Sequence, residues 1–87
     1  MKTIWKYELQ VAGEQKINMP HNSRILSVQV QDIHPCIWAL VDTERVLEER
    51  TFRIVGTGYP IDFSTDKYIG TFQQFNGKLV YHLFETK

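Results

Sequence analysis

Lys67-Tyr68-Ile69-Gly70-Thr71-Phe72-Gln73-Gln74-Phe75-Asn76-Gly77-Lys78-Leu79-Val80-Tyr81-His82-Leu83-Phe84-Glu85 decides the fold class. Asn76-Gly77 is the strongest short-range hairpin signal, because a type I′ turn needs positive φ at both central residues. The flanking segments, 67–75 and 78–85, read as two antiparallel strands. A two-residue loop fixes their register. It sets Phe75 opposite Lys78, Phe72 opposite Tyr81, Thr71 opposite His82 and Gly70 opposite Leu83. The Phe72–Tyr81 pair alone is worth roughly 0.2–1 kcal/mol over Ala–Ala.

The same period of two runs through the rest of the chain. Trp5, Tyr7, Leu9 and Val11 alternate with Lys6, Glu8 and Gln10, the pattern of a half-buried strand. Residues 13–14 form a turn, and 15–19 a short strand carrying Ile17 and Met19, which Pro20 ends by removing a donor. Residues 24–31 place Leu26, Val28 and Val30 on one face. Ser27, Gln29 and Gln31 lie on the other, with Ile25 breaking the alternation. Asp32-Ile33-His34-Pro35 reads as a turn, Pro35 holding His34 extended.

Cys36-Ile37-Trp38-Ala39-Leu40-Val41 is apolar on both faces, which predicts a central strand covered on both sides. Residues 42–50 are charge-rich and break the pattern. They read either as one or two helical turns capped by Thr43 or as a connecting loop. Residues 51–55 return to strand, with Phe52 and Ile54 on one face. Gly56-Thr57-Gly58-Tyr59-Pro60 is a turn cluster, and 61–66 continue as loop.

The expected fold is therefore all-β: a small antiparallel sandwich or barrel of about seven strands, with the Asn-Gly hairpin near its C-terminus and at most one short helix. With 87 residues the chain is expected to form one domain, 1–87. Apolar residues make up 43% and charged residues 23%, a globular balance rather than a disordered one. No apolar run approaches the roughly 20 residues of a bilayer helix, so no membrane association is expected. Met1–Lys6 lacks a signal-like run, and Phe84-Glu85-Thr86-Lys87 matches no anchor or retention signal, so the expected location is the cytoplasm.

Charge and cysteine content narrow the chemistry. Ten Lys+Arg balance ten Asp+Glu, which argues against a double-stranded nucleic-acid grip built on phosphate neutralisation. The single cysteine excludes an internal disulfide and a cysteine-based zinc site. His21, His34 and His82 fall in separate segments without ligand spacing, and no metal or cofactor is expected. His34-Pro35-Cys36 puts a base near a thiol, but the plainer reading is a small buried hydrophobe at a strand start. Gly56-Thr57-Gly58 lacks the Lys-Ser/Thr of a phosphate loop and a following helix. Turn chemistry is the better reading, with a backbone nest touching an anion as the alternative. Paired carboxylates, Glu48-Glu49 and Asp62 with Asp66, read as solvated charge. No catalytic residues are expected.

The positive candidates combine cations with aromatic rings, as a nucleotide ligand needs. Arg53 lies between Phe52 and Ile54 on the opposite strand face, and Lys6, Lys67 and Lys78 lie close to Trp5, Tyr68 and Phe75. Trp5, Tyr7, Arg53, Tyr59 and Tyr68 are the expected ligand contacts.

Six stretches carry a wider likeness: Met1–Tyr7, Ile25–Gln31, Trp38–Asp42, Phe52–Gly58, Tyr68–Gln73 and Leu79–Glu85. Through them the chain resembles a family of short all-β proteins of bacteriophages, prophages and their bacterial hosts, for which no activity is assigned. The resemblance implies a phage or mobile-element setting and supplies no catalytic or binding residues. Small proteins in that setting often block host defence.

Three functions are expected to compete. The first is a non-enzymatic phage-type binding protein. It would act in the host cytoplasm, sequestering a nucleotide signal or capping a host protein, and would form homo-oligomers through the two-sided apolar 36–41 strand. The second is a structural or virion accessory module with no small ligand. The third is an enzyme using Cys36 or His34.

Overall fold

The structure is a computed structural model that describes residues 1–11 and 13–86. Seven strands follow in order: β1 (Lys2–Glu8), β2 (Glu14–Pro20), β3 (Arg24–Gln31), β4 (His34–Asp42), β5 (Leu47–Gly56), β6 (Tyr68–Gln74) and β7 (Leu79–Glu85). All pairings are antiparallel. They build a three-stranded sheet, β1-β4-β3, and a four-stranded sheet, β2-β5-β7-β6. The arrangement is sandwich-like, and no helix occurs among the described residues, so none is long and apolar enough to cross a membrane.

The hairpin register is the expected one: Gly70↔Leu83, Thr71↔His82 and Phe72↔Tyr81. The Phe72 and Tyr81 rings stack at 5.6 Å. Phe75 and Lys78 lie in the turn rather than in the strands, and the Lys78 amide donates to the Phe75 carbonyl at 3.1 Å. Asn76 and Gly77 both have positive φ, as the turn requires, and so does Phe75 (φ 54°), which leaves its ring exposed.

The inward faces carry the core: Leu9, Met19, Val28, Ile37, Ala39, Val41, Phe52, Ile54, Phe72 and Leu83. Apolar burial of this kind contributes roughly 25 cal/mol per Å² removed from water. β4 is central in its sheet, but it is not covered on both sides. Ile37, Ala39 and Val41 face the core. Trp38 and Leu40 on the outer face are only half-buried, because no further layer packs there.

Four other expectations change. The 32–35 turn is confined to Asp32 and Ile33, because β4 begins at His34. Residues 43–50 form no helix: a turn follows Thr43, and β5 begins at Leu47, so 47–50 are strand. β1 spans Lys2–Glu8 and stops short of Val11, although Leu9 still points into the core. On β3 a bulge between Ile25 and Ser27 resets the alternation. Ile25, not Leu26, therefore joins Val28 and Val30 against the core, and Leu26 is 43% exposed.

The sheets approach each other most closely along β3 and β6. A Cβ on Gly70 would lie 2.8 Å from Val28 Cγ1, so glycine is what allows the strands this near. Among the described residues no backbone hydrogen bond joins β3 to β6.

Candidate functional site

The β3–β6 seam opens at one end. Beside the β3 bulge, β6 has its own irregularity between Tyr68 and Gly70. The two extra residues, Leu26 and Ile69, both line an open cleft of about 840 Å³. Bulges occur often beside functional sites, where they re-aim side chains and end pairing. The volume falls within the range of small-ligand sites.

The ionic groups of the cleft fall into two sets. Arg50 is fixed: its Nε donates to Glu85 Oε2 at 2.6 Å, its Nη2 to Glu85 Oε1 at 2.8 Å, and its Nη1 to the Ser23 carbonyl. The side chains are only 15% and 10% exposed, and the carboxylate fork raises the guanidinium pKa above its ordinary value. Glu48 is also engaged. His21 Nδ1 lies 3.0 Å from its Oε1, and the Asn22 amide donates to Oε2 at 3.0 Å, which together hold the Glu48 carboxyl below its ordinary range. Glu49 faces Lys16 at 3.8 Å. Arg24 and Lys67, on the two walls, form no ion pair and no side-chain hydrogen bond among the described residues. Every carboxylate of the cleft thus has a partner, and the uncommitted charge is positive.

The five expected contact residues do not converge. Tyr68 lines the cleft. Its hydroxyl lies 2.5 Å from Thr71 Oγ1, and its ring packs 5.5 Å from Phe84. Arg53 shares the outer face of the four-stranded sheet with Tyr68 through the row Phe63–Phe84–Tyr68. Its guanidinium sits 4.9 Å over Phe63 and donates to Asp62 at 3.1 Å, so an internal carboxylate already occupies it, while its buried Nε is left without a partner. Trp5 and Tyr7 lie on the other sheet, on its inward side. The Tyr7 hydroxyl is buried without a partner, and burial raises its pKa. Tyr59 is exposed on the turn after β5, its ring against Gly56.

In the Gly56–Pro60 turn the Thr57 amide donates to the Val80 carbonyl and the Tyr59 amide to the Gly56 carbonyl. Those donors are used inside the fold, with Gly58 supplying the positive φ (89°) of an ordinary turn. Cys36 is 1% exposed. Its Sγ approaches the His34 carbonyl at 3.4 Å, and burial pushes the thiol pKa up. The His34 ring lies instead beside Glu8, at 3.6 Å. No group of three His, Cys, Asp or Glu among the described residues could hold a metal.

Arg24, Lys67 and the Arg50–Glu85 pair were not evident as a group in sequence, because 43 positions separate the two free cations. Two local signals point to it: Lys67 beside the Tyr68 ring, and Ile25, whose break in the alternation marks the bulge.

No curated protein and no solved structure matches the chain. A family model matches residues 1–87, and the chain belongs to that family, described as a domain of unknown function, DUF7352.

Proposed function

We propose that the chain is a binding protein whose ligand is a nucleotide held in the β3–β6 cleft. The observation that carries this is the pair Arg24 and Lys67, uncommitted on facing walls while each cleft carboxylate is matched. A phosphate placed between them finds two cations without displacing an internal pair. Tyr68 supplies an aromatic surface for a base, and Ile25, Leu26 and Ile69 supply apolar contact. In the phage or prophage setting that the resemblance implies, the protein would act in the host cytoplasm by sequestering a nucleotide signal.

The test is a thermal shift against a nucleotide panel that includes cyclic di- and oligonucleotides. A ligand at a hundred times its dissociation constant stabilises by about 2.7 kcal/mol. In a domain of this size that is a midpoint rise of roughly 10–20 °C. Arg24→Glu and Lys67→Glu each abolish the rise. A flat response across the panel refutes the reading.

A second reading, capture of a host protein, is favoured by a different observation. Ile33 and Phe75, 68% and 67% exposed, stand on two adjacent hairpin tips around a hollow of about 420 Å³. Pull-down from host lysate, lost in Phe75→Asp, checks it.

A further inference from the structure

Among the described residues β1 pairs only with β4, which makes it an edge strand. The Leu9 amide donates to the Pro35 carbonyl at 2.8 Å and the Thr43 amide to the Met1 carbonyl at 2.9 Å, both extending the β1–β4 register. Bonded and non-bonded pairs alternate in an antiparallel ladder. The odd-numbered residues of β1 therefore bond to β4. Lys2, Ile4, Lys6 and Glu8 aim their N–H and C=O groups at the free edge. None of those backbone groups takes a partner outside the sheet among the described residues.

We propose that this edge pairs with the β1 edge of a second copy, antiparallel about a two-fold axis through Trp5. An axis perpendicular to the sheet keeps inward faces continuous, so only registers joining even to even residues satisfy the ladder. Centred on Trp5, the pairing sets Lys2 opposite the partner's Glu8, Ile4 opposite the partner's Lys6, and Trp5 opposite the partner's Trp5. By symmetry the Lys–Glu pair occurs twice. The neighbouring registers fail on charge: centring on Ile4 opposes Lys2 to the partner's Lys6, and centring on Lys6 opposes two copies of Lys6. Like charges directly opposite are destabilising, and opposite charges stabilise.

The side chains are placed for this. Ile4 is 56% and Trp5 39% exposed, and Lys2 has no ion-pair partner among the described residues. Glu8 has only the 3.6 Å approach of His34. Lysines on an edge strand block indiscriminate pairing. Here Glu8 exempts one register from that block, and the interface is isologous, as a two-fold dimer requires. The joined sheet doubles from three strands to six.

Sedimentation equilibrium measures the mass, expected at twice 10.3 kDa. Lys2→Glu opposes like charges at both symmetric pairs and weakens the dimer roughly tenfold or more. The double variant Lys2→Glu/Glu8→Lys restores it. Register is read directly by cross-linking. Trp5 is a non-bonded pair across the axis, where Cα atoms lie about 4.5 Å apart, within disulfide range. Trp5→Cys therefore gives a disulfide-linked dimer under mild oxidation, and Thr3→Cys, whose partner is Tyr7, does not. Circular dichroism confirms that each variant is folded. A monomer at all concentrations overturns the proposal. So does a dimer indifferent to the charge reversal, or equal cross-linking of Thr3→Cys and Trp5→Cys.

Discussion

Glu85→Gln removes one charge from the floor of the cleft and leaves almost every atom in place. Arg50 then keeps its position with a neutral partner that can accept only one of its two hydrogen bonds. Breaking a buried ion pair from one side costs about 3–5 kcal/mol. The Arg50 and Glu85 side chains are 15% and 10% exposed at the cleft mouth, and water there relieves part of that cost. The Ser23 carbonyl also remains bonded to Nη1. The expected loss is therefore about 2–3 kcal/mol, a large share of the roughly 5–15 kcal/mol that holds a domain folded. It appears as a fall in the thermal midpoint of roughly 10–20 °C and as an earlier urea midpoint with unchanged slope. Arg50→Met in the same background returns most of the stability, because it removes the stranded cation. A single-variant loss below about 0.5 kcal/mol, or a double variant no better than the single, would refute the reasoning.

Gly70→Ala forces a methyl group to 2.8 Å from Val28 Cγ1 and costs about 1–3 kcal/mol by denaturation; Val28→Ala in that background recovers part of it. Glu48, whose folded pKa is depressed chiefly by its hydrogen bond with His21, contributes stability that is fully present above the ordinary carboxylate range. That contribution drains away as pH falls through the folded pKa, and Glu48→Gln flattens this acid limb of a pH–stability curve. Cys36 is 1% exposed and burial raises its thiol pKa, so it reacts with a thiol reagent much more slowly in the native protein than in the unfolded chain, and equal labelling rates contradict its placement.

Sequence periodicity resolved the fold where each residue answered to its own neighbours. Asn76-Gly77 specified its turn locally, and the register of β6 on β7 followed from it. Leu26 and Ile25 exchanged faces because a bulge shifts phase without changing composition. Residues 47–50 do not read as strand, because charges in such a run are ordinarily solvated. Glu48 and Arg50 are instead matched by His21, 27 positions away, and Glu85, 35 positions away. The candidate site was harder still. Tyr68 was identified from its ring. Lys67 stands out in sequence beside Tyr68, but Arg24 joins it only through two strands distant in sequence that part between them, and Arg53 has an internal carboxylate in the next loop.

The seam between β3 and β6 has a dynamic meaning. Two edges lie side by side, with Val28 against Gly70 and no backbone bond between them among the described residues. Parting them sacrifices side-chain contact and the one hydrogen bond from Gln74 Nε2 to the Ile33 carbonyl at 3.1 Å, with no backbone ladder to break, so this line breathes more readily than any ladder within a sheet. Slow amide exchange should trace a spine along β4, β5 and β7, with fast exchange along both lips. Anything lodged in the cleft acts as a fastener across those lips, and its binding would be felt as stiffness in strands that it never touches.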